Sequence, residues 1–99
     1  VTVAKTTDIR PGQGKYAEAE DYRLAICNVD GTFYCIENMC THDGGALNQG
    51  ELRGEIIECP RHGGRFNVLT GAAVRMPAVS PLETYPVTVE GDEIKVTLD

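Results

Sequence analysis

Tyr22-Arg23-Leu24-Ala25-Ile26-Cys27-Asn28-Val29-Asp30-Gly31-Thr32-Phe33-Tyr34-Cys35-Ile36-Glu37 is the stretch that decides the fold. Two runs rich in apolar, aromatic and β-branched residues flank an Asp-Gly step, the strongest short-range signal for a β-hairpin with a two-residue turn. A turn at Asp30-Gly31 pairs position 27 with 34 and 26 with 35. Cys27 and Cys35 then lie on opposite faces of the hairpin, out of reach of one another, and are read as small buried hydrophobes.

Outward from the hairpin the pattern is strand after strand, with no helical period. Val1 to Lys5 reads as a first strand, Arg10-Pro11-Gly12-Gln13-Gly14 as a loop, and Lys15 to Glu20 as a short exposed strand. Beyond the hairpin, Ala46 to Gly50 suits one helical turn, Leu52 to Glu58 a strand, and Arg65 to Val68 another before a turn at Thr70-Gly71. Met76 to Pro81 is a proline loop barred from a central sheet, and Pro86 interrupts Leu82 to Glu90. Gly91-Asp92 turns the chain into Glu93 to Leu98, where Ile94, Val96 and Leu98 alternate. Strands at intervals of about ten residues separated by Gly, Asp and Pro predict an all-β fold, a small antiparallel sandwich or barrel.

The 99 residues suit one domain spanning 1–99. Fifteen acidic against nine basic side chains give a formal charge of -6, which repels nucleic acid and anionic membrane and favours a basic protein partner. No apolar run is long enough to cross a bilayer, and the first residues lack the pattern of a secretion signal, so a cytoplasmic monomer is expected.

Between the predicted strands lie Cys40-Thr41-His42 and Cys59-Pro60-Arg61-His62, which use both histidines and half of the four cysteines. Each pair stands beside glycines, Gly44-Gly45 and Gly63-Gly64, that permit close backbone approach. Thiolate and neutral imidazole are ligands for a transition metal, so Cys40, His42, Cys59 and His62 are the candidate set. Two Cys and two His also satisfy tetrahedral zinc in a structural site, and a zinc-stabilised interaction module is one reading. Structural zinc loops usually group like ligands on one knuckle, however, whereas each loop here offers one Cys and one His, an order better suited to two metal atoms.

Cys40-Thr41-His42-Asp43-Gly44 and Cys59-Pro60-Arg61-His62-Gly63-Gly64 resemble the two cluster-binding boxes of Rieske [2Fe-2S] proteins. The resemblance extends to the Asp30-Gly31 hairpin, the Leu47 to Gly54 connection, Phe66-Asn67, Thr70-Gly71 and the Pro77 loop. It implies the Rieske fold, with two cluster-binding loops at one tip and one [2Fe-2S] cluster. Cys40 and Cys59 would bind one iron, and His42 and His62 the other. Two ferric ions, two sulfides and two thiolates sum to zero with neutral imidazoles. An electron therefore enters a less negative centre than an all-Cys cluster would offer, and the potential is higher.

Where respiratory Rieske proteins have two further cysteines that tie the loops by a disulfide, this chain has Gly45 and Arg61. Where they have a serine and a tyrosine that donate to the cluster, it has Gly64 and Phe66. Losing two donors disfavours the more negative reduced state, so a potential of about -150 mV is expected, at the low end for Rieske centres. The short acidic chain is similar to the Rieske-type ferredoxins of bacterial ring-hydroxylating dioxygenases. That resemblance implies a one-electron carrier, not itself an enzyme, between a flavin-dependent ferredoxin reductase and a terminal oxygenase. A small Rieske subunit of another redox enzyme, such as a nitrite reductase, is the alternative. Arg61 and Arg65 flank His62, where they either steer docking or serve as solvated charge.

The ring nitrogens that do not bind metal are expected to titrate, so the potential should fall with rising pH once they lose protons. Voltammetry from neutral to strongly alkaline pH checks this, and a flat profile would contradict it.

Overall fold

A computed structural model describes residues 1–40, 45–61, 63–76 and 78–98. Among them eleven strands follow in chain order: β1 (Thr2–Lys5), β2 (Gly14–Ala19), β3 (Tyr22–Val29), β4 (Thr32–Glu37), β5 (Glu51–Arg53), β6 (Ile56–Glu58), β7 (Arg65–Asn67), β8 (Ala73–Arg75), β9 (Thr84–Tyr85), β10 (Val87–Glu90) and β11 (Glu93–Val96). They form three antiparallel sheets, ordered β1-β11-β10, β2-β3-β4-β9 and β5-β6-β7-β8.

The β3–β4 hairpin has the predicted register, Cys27 opposite Tyr34 and Ile26 opposite Cys35. Asp30 and Gly31 both take positive φ, 51° and 92°, as a type I′ turn demands. The Asn28 side-chain carbonyl accepts the Gly31 N–H at 2.7 Å and holds the turn. Both faces of this hairpin are covered. Ala25, Cys27 and Ile36 pack with Leu52, Ile57, Phe66 and Val68 of the β5–β8 side. Leu24, Ile26 and Cys35 pack with Ile94 and Val96 of β11 and with Ile9 and Ala17. The hairpin sheet is thus the middle layer of three.

Several elements differ from the sequence expectation. Leu52 to Glu58 is not one strand: Gly54, at φ +57°, turns the chain so that β5 and β6 pair, with Leu52 opposite Ile57. Ala73–Arg75 forms a further strand that the sequence did not announce, paired to β7 across a turn whose N–H groups at 69 and 70 donate to the Asn67 side chain. Pro86 separates Thr84–Tyr85, which joins β4, from Val87–Glu90, which joins β11, so the chain changes sheets at the proline. The helical turn at 46–50 is a 3-10 turn, Leu47–Gln49. A second two-residue turn, Glu20-Asp21, takes φ of 50° and 70° without a glycine to mark it.

Burial pushes the Cys27 thiol up to about 12, and burial, reinforced by Cys27, does the same to Cys35. Unfolded thiols lose their protons near pH 9 whereas the folded ones hold them, so the folded state binds more protons between these values. This contribution to stability is full below pH 9 and is lost as pH rises toward 12. Denaturation midpoints should therefore fall through that window, with a shallower slope in the Cys27→Ala/Cys35→Ala variant; equal slopes would remove the thiols as the cause.

Candidate metal centre

Cys40 follows the end of β4 and Cys59 the end of β6, each at the point where the chain leaves its sheet. Both side chains are buried, at 2% and 1% exposure, and both belong to the core between the middle sheet and the β5–β8 sheet. The backbone closes the two loops in the same way. Cys40 N–H donates to the Gly45 carbonyl at 2.8 Å, and Cys59 N–H donates to the Gly64 carbonyl at 2.7 Å. Each bond spans five residues and brings the chain back beside its cysteine. Gly63 N–H adds a bond to the Cys59 carbonyl at 3.1 Å, with Gly63 at φ +77°, a conformation that costs glycine little.

His42, His62 and Gly44 lie outside the described residues, as does Pro77 of the proline loop. Of the four candidate ligands the two cysteines are described, and both belong to that same core. Arg65 pairs with Glu58 at 2.8 Å across the β6–β7 ladder, so it locks the stem of the second loop. Arg61 is exposed. Phe66 is fully buried opposite Ile57 and serves the core.

Two contacts at the loop roots were not legible in the sequence. A Cβ on Gly50 would collide with the Glu58 carbonyl oxygen, so Gly50 presses the first loop's exit against the residue that precedes Cys59. A Cβ on Gly64 would stand 3.0 Å from the Ala78 Cβ and 3.3 Å from the Ala78 nitrogen. Ala78 is itself buried and its N–H is held by the Arg75 carbonyl at 3.1 Å. The segment after β8 is therefore seated directly on the second loop, and no side chain fits between them.

The donor set fits an iron–sulfur group. Two thiols stand at the heads of matched loops, in a dry environment, with backbone rather than side chains lining the second loop at Gly63 and Gly64.

A family model described as "Rieske [2Fe-2S] domain" matches residues 1–86. The chain is 42% identical over 79 residues to the ferredoxin component of a naphthalene 1,2-dioxygenase system of Pseudomonas aeruginosa, covering 80% of this chain and 76% of that protein. It is 35% identical over 97 residues to the ferredoxin component of biphenyl 2,3-dioxygenase of Rhodococcus jostii (strain RHA1), covering 98% and 91%. Among solved structures it matches, at TM-score 0.93 and 37% identity, a chain from the complex of reduced oxygenase and oxidized ferredoxin in carbazole 1,9a-dioxygenase, covering 98% of this chain and 100% of that one.

Gly64→Ala should destabilise the protein by about 1–3 kcal/mol, the usual cost of overpacking a filled site. Ala78→Gly should be less damaging in the Gly64→Ala background than in the wild type, because it removes the methyl in the way. Chemical denaturation of the four chains measures the coupling, and strictly additive effects would show that the two residues do not meet.

Proposed function

The chain belongs to the Rieske [2Fe-2S] domain family, and we propose on that premise that residues 1–99 form a single domain working as a one-electron carrier in a ring-hydroxylating dioxygenase system. Electrons would come from a flavin-dependent reductase and pass to a terminal oxygenase. The observation that supports this reading best is the pair of buried cysteines, each heading a loop closed by the same five-residue backbone bond. The ferredoxin components among the relatives, and the matched chain from a complex of oxygenase and ferredoxin, support the choice of partners. Among the described residues no helix is long and apolar enough to cross a membrane.

In this assignment Cys40 and Cys59 would hold one iron and His42 and His62 the other. When bound, the [2Fe-2S] cluster accepts and releases one electron, with His ligation raising its potential above that of an all-Cys centre. The protein's own contribution is a fixed, dry seat. The closed loops keep the thiolates in place between oxidation states, and the packed Gly64–Ala78 contact leaves no room for a side chain there. Phe66 carries no hydroxyl and lies wholly within the core, so it adds no donor. The chain is a carrier and performs no bond-making of its own.

Purified protein should be red-brown, bleach on reduction and give an electron paramagnetic resonance signal when reduced. Colourless protein with stoichiometric zinc would overturn the assignment. His42→Cys and His62→Cys should lower the potential wherever a cluster survives, because a thiolate adds negative charge to the centre; an unchanged potential would contradict the histidine ligands.

A further inference from the structure

The two cysteine loops are closed alike at the backbone but their stems are built differently. The second loop leaves β6 and returns in β7, so a strand ladder with Ile57 opposite Phe66 and Glu58 opposite Arg65 fixes its ends. The first loop leaves β4 but returns in the Leu47–Gln49 3-10 turn, which offers no ladder to pair with.

Two asparagines stand in for the missing ladder. Asn38, two residues before Cys40, donates its side-chain N–H to the Asn48 side-chain oxygen at 2.8 Å and accepts the Asn48 backbone N–H at 2.8 Å. Its own backbone N–H donates to the Arg23 carbonyl at 2.8 Å, which ties the clasp to β3. Asn38 is buried, at 6% exposure, and the bonds it makes to Asn48 are part-buried. The clasp from 38 to 48 encloses the inner bond from Cys40 to Gly45.

We infer that Asn38 is the positioning residue of the first cluster loop, acting through Asn48 to fix Cys40. The inference rests on the preceding reading, in which Cys40 is a cluster ligand. Without the clasp, the first loop loses two of the bonds that tie its ends together, and the thiolate gains freedom to leave the metal.

The chain supplies its own control. Asn28 is the other buried asparagine, and it also makes two bonds, to the Ile9 carbonyl and from the Gly31 N–H, both at the turn end of β3. Asn28→Ala and Asn38→Ala therefore remove comparable bonding at opposite ends of the β3–β4 hairpin.

The test uses the purified protein with its cluster. Loss of visible absorption in excess chelator is followed over time, together with the electron paramagnetic resonance g-values of the reduced state. Asn38→Ala should lose its cluster about tenfold faster than Asn28→Ala and show shifted g-values, since two hydrogen bonds of ordinary strength are removed at the ligand loop. Asn48→Ala, which keeps the backbone donor, should be intermediate. Equal loss rates and g-values in Asn38→Ala and Asn28→Ala would overturn the inference. If Asn38→Ala fails to fold, Asn48→Ala decides, and wild-type behaviour there would overturn it as well. A wild-type preparation without iron–sulfur absorption would fail the preceding reading instead, and this one with it.

Discussion

The structure hangs on a hairpin that is buried from both sides. Leu24 to Asn28 are five consecutive buried residues, which a half-exposed strand of a two-layer sheet would not show. Leu24 and Ile26 face one core, and Ala25 and Cys27 face the other. Each fully buried aliphatic side chain contributes about 1.5–3 kcal/mol relative to exposure. The strand order follows from this arrangement. β11 must cover one face and β6–β7 the other, and a slip of one residue in β3 would exchange the contents of the two cores.

That constraint also explains what could be read from the sequence. The hairpin, its register and the opposite placement of Cys27 and Cys35 were legible because Asp30-Gly31 can do little other than turn. Pro86 was legible as an interruption, although the sequence could not say that it carries the chain from one sheet to another. The split between β5 and β6 was hidden. Leu52, Ile56 and Ile57 read as one apolar run, and only the positive φ at Gly54 shows that two strands face each other there. Ala73–Arg75 was hidden for the opposite reason: it is short, largely exposed and, among the described residues, paired at the sheet edge to β7.

At the candidate centre, the ligand types and their spacing carried the chemistry, so Cys40 and Cys59 stood out from residue type and position alone. Their supports did not. Asn38, Gly50 and Ala78 act across the chain, on Asn48, Glu58 and Gly64 respectively, and no local pattern announces such contacts. Asn38 looks like an ordinary polar residue before a loop, and Ala78 like filler beside a proline. Gly50 and Ala78 matter through the close approach they make, and Asn38 through the two bonds its amide forms with a residue ten positions on.

What separates the candidate ligand cysteines from the other two is their place on the strands. Cys27 and Cys35 lie inside a ladder, with backbone groups committed to neighbours and thiols held protonated by burial on opposite sides of the sheet. Cys40 and Cys59 are equally buried, but each lies just past the end of a strand, where a glycine five residues on accepts its N–H and folds the chain back. Burial alone would make all four alike. A thiol inside the ladder sits between paired strands, whereas Cys40 and Cys59 each head a loop that the cysteine's own N–H closes. The fold thus assigns different work to the same side chain by where it lets the strand stop.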